Sequence, residues 1–120
     1  NKFPKKDIKG IITTTVKNYL NYVEKNNIVF GHNIIIQGVP CPNIDKDAYS
    51  EKEVVLLIEV INKFNDELKT KSREKGYSFL DVQALTNRGD GFSNSVWHID
   101  EIHLSPAAMH EGWKKHIIAP

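Results

Sequence analysis

The chain has 120 residues, 40% of them hydrophobic and 26% charged, which is ordinary for a soluble globular protein of one domain. Its formal net charge of +1 supplies no overall field favouring nucleic acid or an anionic membrane, and Lys2, Lys5, Lys6 and Lys9 read as a solvated, locally basic start. Cys41 stands alone, which excludes an intrachain disulfide and gives no argument for an oxidising compartment, so localisation stays open with a lean to the cytoplasm. No apolar run approaches membrane-spanning length, and no segment resembles a signal peptide. The first residue is Asn rather than Met, which is compatible with a processed or excised piece of something longer.

From about Asp7 to Asn26, Ile8, Ile11, Ile12, Val16, Tyr19, Leu20 and Val23 recur at the three-and-four spacing of one helical face. Asn26-Asn27 is expected to end this helix. After Gly31-His32 the run from Asn33 to Val39 is short, β-branched and apolar, and it suits a strand buried on both faces of a parallel sheet. Pro40-Cys41-Pro42 stops it, since proline has no N–H for a ladder.

Ser50-Glu51-Lys52-Glu53 has the form of a capping box. It opens a second long helix carrying Val54, Leu57, Ile58, Ile61, Phe64 and Leu68 to about Lys75. Gly76 fits the left-handed position past the helix end, and Tyr77 to Val82 reads as the next strand. A short helical turn near Val82 to Leu85 and a long polar loop from Thr86 to Leu104 follow. Ser105 as N-cap and Pro106 at the first helical position start a last helix to about His116.

This order implies a right-handed strand-helix-strand crossover and a layered α/β fold. Two parallel strands leave edges and helix faces without partners, so further strands are expected from an upstream part, another chain or an extended stretch inside the loop.

The chemistry concentrates in the stretch from Trp97 to Pro106, where Asp100 lies one short turn before His103. A carboxylate and an imidazole at that spacing can bond through a ring N–H, which fixes the tautomer and leaves the other nitrogen free as a general base. The bland alternative is a polar loop that caps the last helix. His98 adds a second imidazole, yet a metal site needs three well-directed donors, and His110 and His116 lie on the last helix, so no metal is expected. Cys41 between two prolines reads as a small apolar filler, Arg88-Gly89-Asp90 as a polar turn, and Trp97 and Trp113 as core or pocket-wall residues.

Four segments in chain order carry a family likeness. They are the strand ending Gln37-Gly38-Val39-Pro40-Cys41-Pro42, the helical Phe64-Asn65-Asp66-Glu67-Leu68, the strand Phe79-Leu80-Asp81-Val82, and the block Asp100-Glu101-Ile102-His103-Leu104. Together they resemble the C-terminal half of the SGNH hydrolases, also called the GDSL esterase and lipase family, over about residues 30 to 116.

The resemblance implies a three-layer α/β/α fold of flavodoxin type with a parallel sheet, incomplete here, so that residues 1–120 form the C-terminal part of one domain. It implies hydrolysis of an acyl ester without a cofactor, with His103 as general base and Asp100 as its orienting partner. Pro40 and Trp97 become candidates for the substrate-pocket wall. The family's nucleophilic Ser in a Gly-Asp-Ser block, its oxyanion Gly and its Gly-x-Asn-Asp block are not recognisable in this sequence. Gly89-Asp90-Gly91-Phe92-Ser93 follows the last strand and is interrupted, while Gly31-His32-Asn33 precedes its strand and so falls at the wrong end of the sheet.

The expectation is therefore a portion of an ester hydrolase that supplies Asp and His and is inactive alone, with its remaining blocks upstream or on another chain. The competing expectation is a non-catalytic α/β interaction or structural module that keeps part of the fold.

Overall fold

The structure, a computed structural model, describes residues 5–30 and 33–120. Lys2 and the Gly31-His32 pair lie outside the described residues. The elements run α1 (Lys5–Phe30), β1 (Ile35–Gln37), α2 (Glu51–Glu74), β2 (Ser78–Leu80), α3 (Val82–Thr86), α4 (Pro106–Lys115) and β3 (Ile117–Ile118), with a 3-10 turn at Lys46–Ala48.

Helix α1 outruns its expected end at Asn26. Asn26 turns its side-chain amide back onto the Tyr22 carbonyl at 2.8 Å, a bond within the helix rather than a stop signal. Its inner face is narrower than the sequence pattern suggests: Ile12, Val16 and Leu20 are buried, while Ile11 is 52% and Tyr19 47% exposed.

Helix α2 begins as its sequence requires. The Ser50 hydroxyl accepts from the Glu53 N–H at 3.2 Å, and the Glu53 carboxylate accepts from the Ser50 N–H at 2.9 Å. It ends at Glu74, and the φ of +81° at Gly76 lets the Tyr77 N–H reach back to the Ser72 carbonyl.

The sheet has the order β1-β2-β3, with β1 parallel to β2 and β3 antiparallel to β2. The expected parallel sheet is thus a mixed one. Its third strand comes from the residues that directly follow α4, where the sequence pattern suggested no strand. Register pairs Ile36 with Phe79 and Phe79 with Ile118, so these three share a face. On that face Ile36 and Phe79 join Ile12, Val16 and Leu20 of α1 and Leu68 of α2 in the main core. Burying each such apolar side chain stabilises the fold by about 1.5–3 kcal/mol.

The opposite face carries Leu80, whose Cδ1 lies against Gly112 of α4 in company with Leu85 of α3. Cover there is partial, since Ile35 is 41% and Ile117 37% exposed. The expectation that β1 is buried on both faces therefore fails: only its central residue is buried. Trp113 is likewise no core residue, being 56% exposed on α4.

Strand β1 is also shorter than the apolar run that encodes it. The ladder continues one step further through Gly38 N–H to Leu80 O at 2.9 Å. A side chain at position 38 would meet Phe79 Cζ at 2.7 Å, so the close approach admits only glycine. Beyond it, the Asn65 side-chain amide takes the place of a neighbouring strand. Its Oδ1 accepts from Val39 N–H at 2.7 Å and its Nδ2 donates to Val39 O at 2.8 Å. A primary amide presents the same donor and acceptor pair as a peptide group, which is why an asparagine on α2 can finish the strand.

Candidate active site

The chain leaves β1 through Pro40 and Pro42, and the residue between them is anchored hard. Cys41 is fully buried, its N–H donates to Thr86 Oγ1 at 2.9 Å and its Sγ lies 3.4 Å from the Gln83 carbonyl. Burial pushes the thiol up from its ordinary value, against a smaller lowering by Thr86. A neutral, enclosed thiol that donates to a carbonyl is a packing group and not a nucleophile.

The loop from Asn87 to Ser93 closes on itself. Asp90 accepts from Arg88 Nε and Nη2, each at 2.9 Å, from Lys46 Nζ at 3.0 Å and from the Phe92 N–H at 3.0 Å. With both oxygens occupied, the Arg88-Gly89-Asp90 tripeptide is a structural turn with no carboxylate to offer a partner. The hydrogen bonds from Arg88 and then Lys46 hold Asp90 well below the usual carboxylate range.

Ser93 closes this loop, and it makes a contact that the sequence did not suggest. Its hydroxyl lies 2.7 Å from His98 Nδ1 and accepts from the Ser95 N–H at 3.0 Å. That contact occupies His98 Nδ1, and the other nitrogen of the ring is Nε2. That nitrogen is buried and has no partner among the described residues. Ser93 is only 3% exposed, and no carboxylate orients the far side of the ring, so this Ser-His contact lacks both access and the third member of a triad. It acts as a latch between the loop and the segment that follows.

That segment, 97–105, is a small hairpin. Trp97 O accepts from Ser105 N–H at 2.7 Å, His98 bridges Leu104, and Ile99 N–H donates to His103 O at 2.8 Å. Asp100 and His103 form its tip. Asp100 Oδ1 accepts from the Ile102 and His103 N–H groups at 2.7 and 2.6 Å, while Oδ2 lies 2.8 Å from His103 Nδ1. These bonds lower Asp100 from its usual value to about 2, the His103 N–H first and the His103 ring second. An ionised carboxylate can only accept, so His103 Nδ1 donates to it and Nε2 points away from the pair.

Asp100 therefore holds the ring and its own turn, and it does not cap the last helix. Ser105 does that, accepting from Ala108 N–H at 3.3 Å. The pair is open to solvent, with side chains 71% exposed for His103 and 56% for Asp100. Ile99 and Ile102, next to Asp100 and His103 in the chain, are exposed as well.

Trp97 sits half-buried at the base of the hairpin and Pro40 half-buried at the exit of β1. A surface groove of about 780 Å³ opens along Lys46, Tyr49, Lys52, Val55 and Glu59, and neither Asp100, His103, Pro40 nor Trp97 lines it. No three His, Cys, Asp or Glu side chains converge into a metal-holding group among the described residues. No helix among them is long and apolar enough to cross a membrane.

No family model, curated protein sequence or solved structure matches the chain.

Proposed function

We propose that Asp100 and His103 are the carboxylate and the general base of a serine ester hydrolase of the SGNH type. The observation that carries this reading is the fixed tip of the hairpin. One oxygen of Asp100 is committed to two backbone N–H groups, the other holds His103 Nδ1 at 2.8 Å, and Nε2 is left open.

In the intact protein a serine outside this chain would attack the acyl carbon while His103 Nε2 takes its hydroxyl proton. The same nitrogen would return the proton to the departing alkoxide, and Asp100 would stabilise the transient imidazolium. Such a base contributes about a hundred- to ten-thousandfold in rate. Support also comes from the order of parts: a strand followed by Gly38, an asparagine on the following helix, a parallel second strand, then Asp and His before the last helix. Helix residues touch both faces of the sheet, in keeping with an α/β/α sandwich completed by further strands. The antiparallel β3 is a departure from that pattern.

A fluorophosphonate serine probe tests the reading. Labelling is expected on the complete gene product and absent from the 120-residue chain, which lacks a nucleophile in the required context. A complete protein that is not labelled would sink the hydrolase reading, and a labelled 120-residue chain would show that the nucleophile lies within it.

The exposure of the pair favours a second reading, an interaction or structural module in which Asp100 and His103 only close a turn. Under that reading His103→Ala changes no ester turnover in the complete protein.

A further inference from the structure

The internal geometry of the Asp100–His103 pair is local, since every bond that shapes it lies between residues 100 and 103. Its place relative to the sheet is a separate matter. Of the hydrogen bonds made by residues 99–103 among the described residues, one leaves the hairpin: Asn43 Nδ2 donates to the Asp100 carbonyl at 2.9 Å.

The other end of the same amide is also engaged. Asn43 Oδ1 accepts from Ser95 Oγ–H at 2.9 Å. Ser95 has a φ of +62°, unusual for a residue with a side chain, and its N–H is bound by Ser93 Oγ. The amide thus joins three segments, namely the exit of β1, the strained turn at Ser95 and the hairpin tip.

Its mount is rigid. Asn65 clamps residue 39, Thr86 holds the N–H of Cys41, and the Pro42 carbonyl accepts from Ser93 N–H at 2.9 Å. Two prolines restrict the backbone between these anchors. Asn43 is therefore delivered from the carboxyl end of β1, the end of an open α/β sheet at which ligands gather.

We propose that Asn43 is a positioning residue, one that holds His103 Nε2 at a set place over the end of the sheet. The proposal rests on the hydrolase reading of the pair. Only a side chain with a donor and an acceptor on one fork does the job. Asp in its place would keep the acceptor for Ser95 but turn a second oxygen toward the Asp100 carbonyl. A misplacement of about 1 Å of a catalytic group can cost roughly a hundredfold in rate.

The test compares Asn43→Ala, Asn43→Asp, Ser95→Gly and His103→Ala in the complete gene product, with p-nitrophenyl butyrate as substrate. Both Asn43 variants should lose about ten- to a hundredfold in kcat with KM little changed. Ser95→Gly, which frees Asn43 Oδ1 but keeps the Asn43 bond to the Asp100 carbonyl, should lose less in kcat than either Asn43 variant. In the 120-residue chain, nitrogen NMR of Asn43→Ala should keep the Nδ1–H tautomer of His103 while cross-relaxation between residue 43 and the hairpin tip is lost. A folded Asn43→Asp protein with wild-type kcat would overturn the assignment, provided His103→Ala abolishes turnover in the same assay. Turnover that is absent in the wild type, or untouched by His103→Ala, would instead overturn the hydrolase reading and with it the catalytic meaning of the tether.

Discussion

The face of the sheet under α1 and α2 and the loop from Asn87 to Ser105 are held by different forces. On the first, Ile12, Val16, Leu20, Ile36, Leu68 and Phe79 exclude water, and the order follows from apolar burial. In the second, Phe92 is a deeply buried large side chain, and most of the order comes from Asn, Asp and Ser side chains bonding to backbone groups. Burial is non-directional and tolerates small adjustments, whereas a hydrogen-bonded loop fixes individual atoms. The candidate site sits in the second region, where atoms have to be aimed.

That contrast is open to attack at several points. Phe79→Ala in the core should cost about 3–5 kcal/mol in denaturant unfolding and lower stability throughout the chain. If the loop from Asn87 to Ser105 kept its order while the core melted, the two regions would be separate units.

Asn65→Ala, at the junction between them, leaves Val39 with a half-buried donor and acceptor unpaired, at about 1–3 kcal/mol for each. Asn65→Leu should be no better, because packing cannot replace the strand-like bonds. A stable Asn65→Leu protein would count against the clamp.

The latch in the loop responds to acid. Burial lowers His98 from its ordinary value, with the Asp100 charge acting in the opposite sense. A histidine whose folded value is depressed favours its neutral form in the fold. Its contribution is therefore present above about pH 6.5 and declines as pH falls below it. Protonation also leaves Nδ1 able only to donate to Ser93 Oγ. Protection factors for amide exchange at residues 93–98 should fall between pH 7 and pH 5 while those of core amides hold, and His98→Leu should flatten that dependence. An unchanged pH profile in His98→Leu would assign the acid response elsewhere.

The smallest effect should follow from Asp90→Asn. Its ion pairs with Arg88 and Lys46 are exposed, so thermal unfolding should shift little, and that shift should shrink further in salt.

The parts legible in the sequence were those made by neighbours along the chain. The Ser50 capping box, Gly76, the Ser105-Pro106 start of α4 and the i, i+3 contact of Asp100 with His103 all arise within a turn or two of backbone. The parts that were not legible join distant segments. The Asn65 clamp spans 26 residues and the Asn43 tether 57, and no local spacing announces either. The Ser93–His98 latch spans only five residues, yet it depends on a loop shape set by Asn87 and Asp90. Strand β3 escaped notice because two residues carry no period. The apolar run around β1 overstated its burial, since one face lies only partly under α4.

In the proposed function, His103 held by Asp100 is the base of an ester hydrolase. That role is tested most directly by p-nitrophenyl butyrate hydrolysis in the complete gene product carrying His103→Ala, with thermal unfolding measured alongside. A loss of about a hundred- to ten-thousandfold in kcat/KM at an unchanged melting temperature is expected. Equal rates in the variant and the wild type would contradict it.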